Sequence, residues 1–157
     1  MKIVITIFIG TILFAACRKD QQGASIPPAA YLIANTVTGP GPTAITTTTN
    51  SASSKVSAGP AIIKLYVNTP QTQDVTITYH LTGTAQAGVN YTTPTPTTAT
   101  IKAGTWTTAI SIPVINTPLT GGNKTIILTL DSASDPTMQM GLGAAKTYNT
   151  FTYTLTN

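Results

Sequence analysis

Charge is what this sequence has least of. Lys, Arg, Asp and Glu make up 8% of its 157 residues, against about 25% in an ordinary globular protein. Glutamate is missing altogether, and the four acids are all Asp. There is one His (His80), one Trp (Trp106) and one Cys (Cys17). Each shortage excludes something. A single Cys cannot close an internal disulfide. A lone His makes neither a hydrolytic triad nor a His-based metal site. Glycoside hydrolysis needs two carboxyls facing one bond; past the N-terminal region only Asp74, Asp131 and Asp135 remain, all in stretches that read as turns. No set of nucleophile, base and orienting group is in view, so the chain is expected not to be an enzyme and to carry no cofactor. The net charge of +4 is thinly spread. Arg18 and Lys19 sit together near the N-terminus, while Lys55, Lys64, Lys102, Lys124 and Lys146 are isolated. Without a basic cluster interleaved with aromatics, nucleic acid is not an expected partner.

Threonine fills much of the space that charge leaves. It is β-branched and suits a pleated surface while still bonding to water. Alternating Ile, Val, Leu and Tyr accompany it, which points to an all-β protein. The length suits one domain and a tail.

Lys2 precedes an unbroken run from Ile3 to Ala16 of apolar, Gly and Thr residues. The run is short of the ~20 residues a spanning helix needs and reads as a signal-peptide core. It ends in Phe14-Ala-Ala-Cys17, which resembles the bacterial lipoprotein signal, in which small residues precede a Cys that is lipidated and becomes the new N-terminus. The resemblance implies a signal over residues 1–16, a lipidated Cys17, and attachment by several acyl chains, since lasting anchorage needs more than one. Arg18 after the Cys leans toward the outer membrane by the same resemblance. Residues 17–29 read as a tether, and the folded domain is expected over 30–157.

Within that domain, Ala30 to Val37 has the composition of a short strand. Gly39-Pro-Gly-Pro42 breaks it. Ala44 to Thr49 reads as a polar edge strand and Ser51 to Ser54 as loop. From Ala61 the alternation is clear. Ile63, Leu65 and Val67 share one face, and Ile62, Lys64 and Tyr66 the other. Val75, Ile77, Tyr79 and Leu81 point inward, with Thr76, Thr78 and His80 outward. Trp106, Thr108, Ile110, Ile112 and Val114 fall on one face, so Trp106 is expected in the core. Pro113 suggests an edge position or a bulge. Ile126, Leu128 and Leu130 face in, and Asp131 to Lys146 reads as irregular. Phe151, Tyr153 and Leu155 close the pattern. About seven or eight short strands without a convincing helix predict an immunoglobulin-like two-sheet β-sandwich.

The most specific stretch is Gly83-Thr84-Ala85 followed by Ala87-Gly88-Val89-Asn90-Tyr91, then Ala103-Gly104, then the strand-turn-strand from Ile112 to Leu130. In this order and spacing it resembles the Calx-beta family, an immunoglobulin-like β-sandwich module of surface and adhesion proteins. Some members bind calcium through acidic residues. At the matching places this chain has Ala58, Asn90 and the run from Asn116 to Lys124, with Gly121 and Lys124 where the family usually has Glu. Calcium prefers six to eight oxygens, several from carboxylates, so no functional calcium or other metal site is expected.

Tyr66, on the face opposite the core set, and Tyr91 and Tyr148, near loops, are the candidate ligand contacts. Asp131-Ser132-Ala133 resembles a short bacterial O-glycosylation signal, which makes Ser132 a candidate for a glycan. The expected function is a non-catalytic cell-envelope lipoprotein, acting in adhesion or as an accessory part of a surface assembly, with a protein or glycan ligand. A carbohydrate-binding lipoprotein is the alternative. A cluster of outward aromatics on one sheet favours the second; a flat Thr-rich face or an unpaired edge strand favours the first.

Overall fold

Eleven strands account for the architecture, in a computed structural model that describes residues 26–38 and 45–157. The signal stretch, Cys17 and Gly39-Pro-Gly-Pro42 lie outside the described residues. The strands are β1 (Ala29–Leu32), β2 (Ala34–Thr38), β3 (Ile45–Thr49), β4 (Ser51–Lys55), β5 (Ala61–Val67), β6 (Val75–Thr82), β7 (Thr98–Ile101), β8 (Thr107–Ile112), β9 (Lys124–Ala133), β10 (Gln139–Met140) and β11 (Thr150–Thr156). The one helical piece among the described residues is the 3-10 turn Val56–Ala58.

Nine strands form two sheets, ordered β10-β1-β5-β8 and β4-β11-β9-β6-β7. Period-two alternation sets which side chains meet between them. Ile63, Leu65, Val67 and Ile112 from the first sheet, and Ile77, Ile101, Ile126, Leu128, Phe151 and Leu155 from the second, are nearly or fully buried in one core. Each such side chain contributes about 1.5–3 kcal/mol. The expected all-β sandwich is therefore the fold.

Several local expectations need correcting. The Ala30–Val37 stretch is two strands, parted at Ile33, and β2 pairs with β3 as a separate hairpin. Thus β3, Ile45–Thr49, does not edge a large sheet. It forms part of an insertion where the chain passes from β1 in one sheet to β4 in the other. Ser51 to Ser54, expected as loop, belongs to β4, which runs parallel to β11 from Ser51↔Thr152 to Lys55↔Thr156. Serine hides the alternation, because Ala52 and Ser54 take the half-buried positions. Tyr153 anchors the strand there by donating its hydroxyl proton to Ser54 Oγ at 3.0 Å. Asp131 lies in β9 rather than in a turn, and β10 lies inside the stretch read as irregular. Strand β8 does end just before Pro113, at the edge of its sheet.

Two glycines hold close approaches. A Cβ on Gly83 (φ +117°) would lie 2.2 Å from the Thr125 carbonyl oxygen, and one on Gly141 (φ +88°) would lie 2.4 Å from that of Lys146. Neither place admits another residue without backbone movement.

Candidate functional site

The outward faces of the two sheets differ in chemistry. On the five-stranded sheet, most residues alternating with the core are hydroxylated, with Ile127 beside Thr152 and Lys55 beside Thr156 as exceptions. Strand β11 offers Thr150, Thr152, Thr154 and Thr156 between buried Phe151, Tyr153 and Leu155. Their neighbours in register extend the surface: Ser51 and Ser53 stand beside Thr152 and Thr154, Thr129 beside Thr150 and Thr125 beside Thr154. On the far side, Thr78 pairs with Thr98 and Thr76 with Thr100, and the last pair's hydroxyls are 3.3 Å apart. Rows about 4.8 Å apart, with about 6.6–7 Å between outward positions along a strand, give a surface mainly of hydroxyls and methyls.

A histidine–aspartate contact interrupts it. Between Thr78 and Tyr79 the pairing of β6 with β9 jumps from Ser132 to Leu130. Asp131 is the extra residue of a β-bulge, which leaves both it and Ser132 exposed. The bulge aims Asp131 at His80, whose Nδ1 lies 2.6 Å from Asp131 Oδ1. Among the described residues no third His, Cys, Asp or Glu joins them. Ser132 is accessible, as a modification site must be.

On the four-stranded sheet the outward residues are larger and less polar. Tyr31 on β1 stands opposite Tyr66 on β5, with ring centroids 5.8 Å apart and planes 20° from parallel. Burial, and then the neighbouring Tyr66, push the Tyr31 hydroxyl above its ordinary 10.0. Tyr66 in turn faces Thr107 on β8, and Trp106 precedes Thr107. Trp106 is 56% exposed, and Ile62, on the same face of β5 as Tyr66, is 47% exposed. Lys64 stands between Ile62 and Tyr66.

Of the three sequence-chosen tyrosines, Tyr66 occupies an outward, half-buried place. Tyr148 is half-buried in the 141–149 connection, at φ +64°, and its carbonyl accepts the Leu32 N–H at 2.9 Å. Tyr91 is not a ligand contact. It is 5% exposed within the core, because bridges to Ala87 and Val114 fold the turn inward. Asn90 fixes that turn, with its Oδ1 accepting the Gln86 N–H at 2.8 Å. Trp106, expected in the core, is at the surface, since β8 begins only at Thr107 and the sandwich ends there. Tyr31 was not singled out from the sequence; its position opposite Tyr66 depends on a β1–β5 register that composition does not reveal.

At the positions that the resemblance sets against the family's calcium ligands, the side chains are neutral or cationic. Asn90 Oδ1 is committed to Gln86, Ala58 has no donor side chain, and Lys124 Nζ lies 3.8 Å from where a Gly121 Cβ would be. An ammonium thus occupies the neighbourhood where the family places carboxylates, and calcium needs negative oxygens. At the ends of β6 and β9, residues 71–75 and 134–136 line a polar groove of about 380 Å³. On its rim, Asp74 accepts from Lys102 Nζ at 2.7 Å and from the Ala103 N–H at 2.9 Å, bonds that hold its carboxyl below the ordinary 3.8.

No protein-family model matches the chain, and no curated protein sequence does. Solved structures do. The apo form of the Calx CBD1 domain aligns with a TM-score of 0.57 at 13% identity, over 83% of this chain and 96% of that one. The calcium-binding domain CBD12 of CALX1.1 aligns with a TM-score of 0.54 at 14% identity, over 69% of this chain and 43% of that one. CBD12 from CALX1.2 gives 0.53 at 14% identity, over 68% and 41%. Likeness at such identity speaks for architecture alone: the chain has the immunoglobulin-like β-sandwich fold of the Calx-beta domains.

Proposed function

We propose that the chain is a non-catalytic cell-envelope lipoprotein, held at the outer membrane by acyl chains on Cys17. Its Calx-beta-like sandwich acts in adhesion or as an accessory part of a surface assembly. The observation supporting this reading is the outer face of the five-stranded sheet. Thr129, Thr150, Thr152 and Thr154 and their neighbours form a broad hydroxyl surface on rigid strands. Such a surface has little charge to desolvate and many groups that can bond to a partner's backbone or sugar hydroxyls. His80 and Asp131 supply a hydrogen-bonded landmark on it.

Two measurements test the proposal. Intact-mass analysis of the native protein should show acylation at the Cys17 N-terminus, and the Cys17→Ser variant should lose membrane attachment. A photo-crosslinking residue placed at Thr129 should capture an envelope component, while one placed at Ala109 on the opposite face should not. Absence of any capture from Thr129 would contradict the docking role.

A carbohydrate-binding lipoprotein is the second reading. The Tyr31–Tyr66 stack favours it, because outward aromatics paired on one sheet suit the apolar faces of sugar rings.

A further inference from the structure

We propose that the free edge of β8 is an interface between two copies of this chain, whose β8 strands pair antiparallel about a two-fold axis near Thr108. The inference goes beyond the docking role of the hydroxyl face and stands apart from it, since β8 belongs to the other sheet.

Backbone geometry marks the edge. Strand β8 ends its sheet, with β5 on one side and no strand on the other among the described residues. The Val67 N–H donates to the Trp106 carbonyl at 3.0 Å, one step beyond the Tyr66↔Thr107 pair. Opposed residues of an antiparallel ladder alternate between exchanging both bonds and exchanging none. Thr108, Ile110 and Ile112 therefore bond to β5, while Thr107, Ala109 and Ser111 turn their N–H and C=O groups toward the exposed edge. The free stretch stops at Pro113, whose carbonyl accepts the Thr92 N–H at 2.9 Å.

The other edges of the two large sheets are blunted. Strand β10 has two residues, β4 ends on exposed Lys55, and β7 lies between Pro96 and Lys102. Strand β8 has six residues, none of them charged and none Pro. That composition selects the occupant. A two-fold axis brings each side chain close to its own copy, so an edge that carries an ion meets the same ion. Strand β8 brings only Thr, Ala, Ser and Ile to the axis.

Trp106 stands at the end of this edge. It has the inward parity of Ile110 and lies opposite buried Val67, yet it is 56% exposed because its own sandwich ends there. With Thr108 on the axis, Thr107 falls opposite Ala109 of the second copy, and Trp106 falls opposite Ile110 of the second copy. The indole then gains the apolar neighbour it lacks.

Light scattering on the detergent-solubilised full chain, over a concentration series, tests this. The expected result is a monomer–dimer equilibrium. A photo-crosslinking residue at Ala109 should join the chain to a second copy of itself and to no other envelope component. Ala109→Pro removes an N–H that β5 does not use, and Ala109→Lys sets like charges across the axis. Each should raise the dimer dissociation constant about tenfold or more, with circular dichroism unchanged. If Ala109→Pro does not fold, Ala109→Lys alone decides. A monomer at every concentration would overturn the proposal. So would a dimer that the folded variants leave unchanged, or a crosslink from Ala109 to a different protein. None of these results bears on capture from Thr129, so the docking role is tested separately.

Discussion

His80 and Asp131 meet on the hydroxyl face, Nδ1 to Oδ1 at 2.6 Å, because β9 carries one residue more than β6 requires. Register on both sides of that extra residue is already correct: Leu130 and Ala133 face inward opposite Tyr79 and Ile77. Deleting Asp131 should therefore leave every core side chain in place and cost no more than about 1–2 kcal/mol, from lost local twist and an exposed side-chain hydrogen bond. Deleting Ile127, in the regular part of β9, should turn one half of the strand inside out and abolish folding. Thermal denaturation of the two deletion variants distinguishes them.

Trp106 and Tyr91 exchange the roles that composition suggests. Trp106→Ala should change stability by about 0.5 kcal/mol or less, as surface substitutions do. Tyr91→Ala empties a buried site and should cost about 3–5 kcal/mol. Urea unfolding of both variants checks the pair; a larger loss at Trp106 would mean that its indole is buried.

Gly83 and Gly59 both have positive φ but differ in space. Gly83→Ala drives a Cβ into the Thr125 carbonyl, whereas Gly59→Ala meets nothing within 4 Å. The second should cost about 1 kcal/mol, from backbone conformation alone, and the first about 2–4 kcal/mol, because strands β6 and β9 must part. Melting temperatures of the two variants should keep this order.

Asp74 and Asp135 set the acid limit. Lys102 and the Ala103 N–H hold the Asp74 carboxyl below its ordinary 3.8, and the Thr137 hydroxyl and N–H do the same for Asp135. Since the folded values are depressed, the stability they add is present above pH 3.8 and is lost as pH falls below it through the folded values. Urea midpoints should thus fall on acidification below about pH 4. The doubly substituted Asp74→Asn, Asp135→Asn chain should show a flatter acid limb.

The sheets were legible wherever burial imposed alternation. From Ala61 to Leu155 the Ile, Leu and Val sets land in the core as their spacing requires. The reading failed where hydroxyl residues occupy inward places, as at β4, whose half-buried Ser54 looks no different from a loop serine until Tyr153 bonds to it. It failed again at strand ends, where parity assigns a side but not a depth. Trp106 has the parity of Ile110 yet lies past the end of the sandwich. The site was half visible: Tyr66 was identified by its face, but its partner Tyr31 required a register between strands far apart in sequence. The His80–Asp131 pair required a bulge, which no alternating pattern announces.

The most direct test of the account is to compare the two faces in one binding measurement. The full chain carrying Thr129→Arg and Thr152→Arg, and a second carrying Ile62→Arg, should both fold with unchanged circular dichroism, because these side chains point away from the core. The threonine pair should weaken capture of the envelope partner about tenfold or more, and Ile62→Arg should leave it intact. Undiminished capture by the folded threonine variant would contradict the docking role.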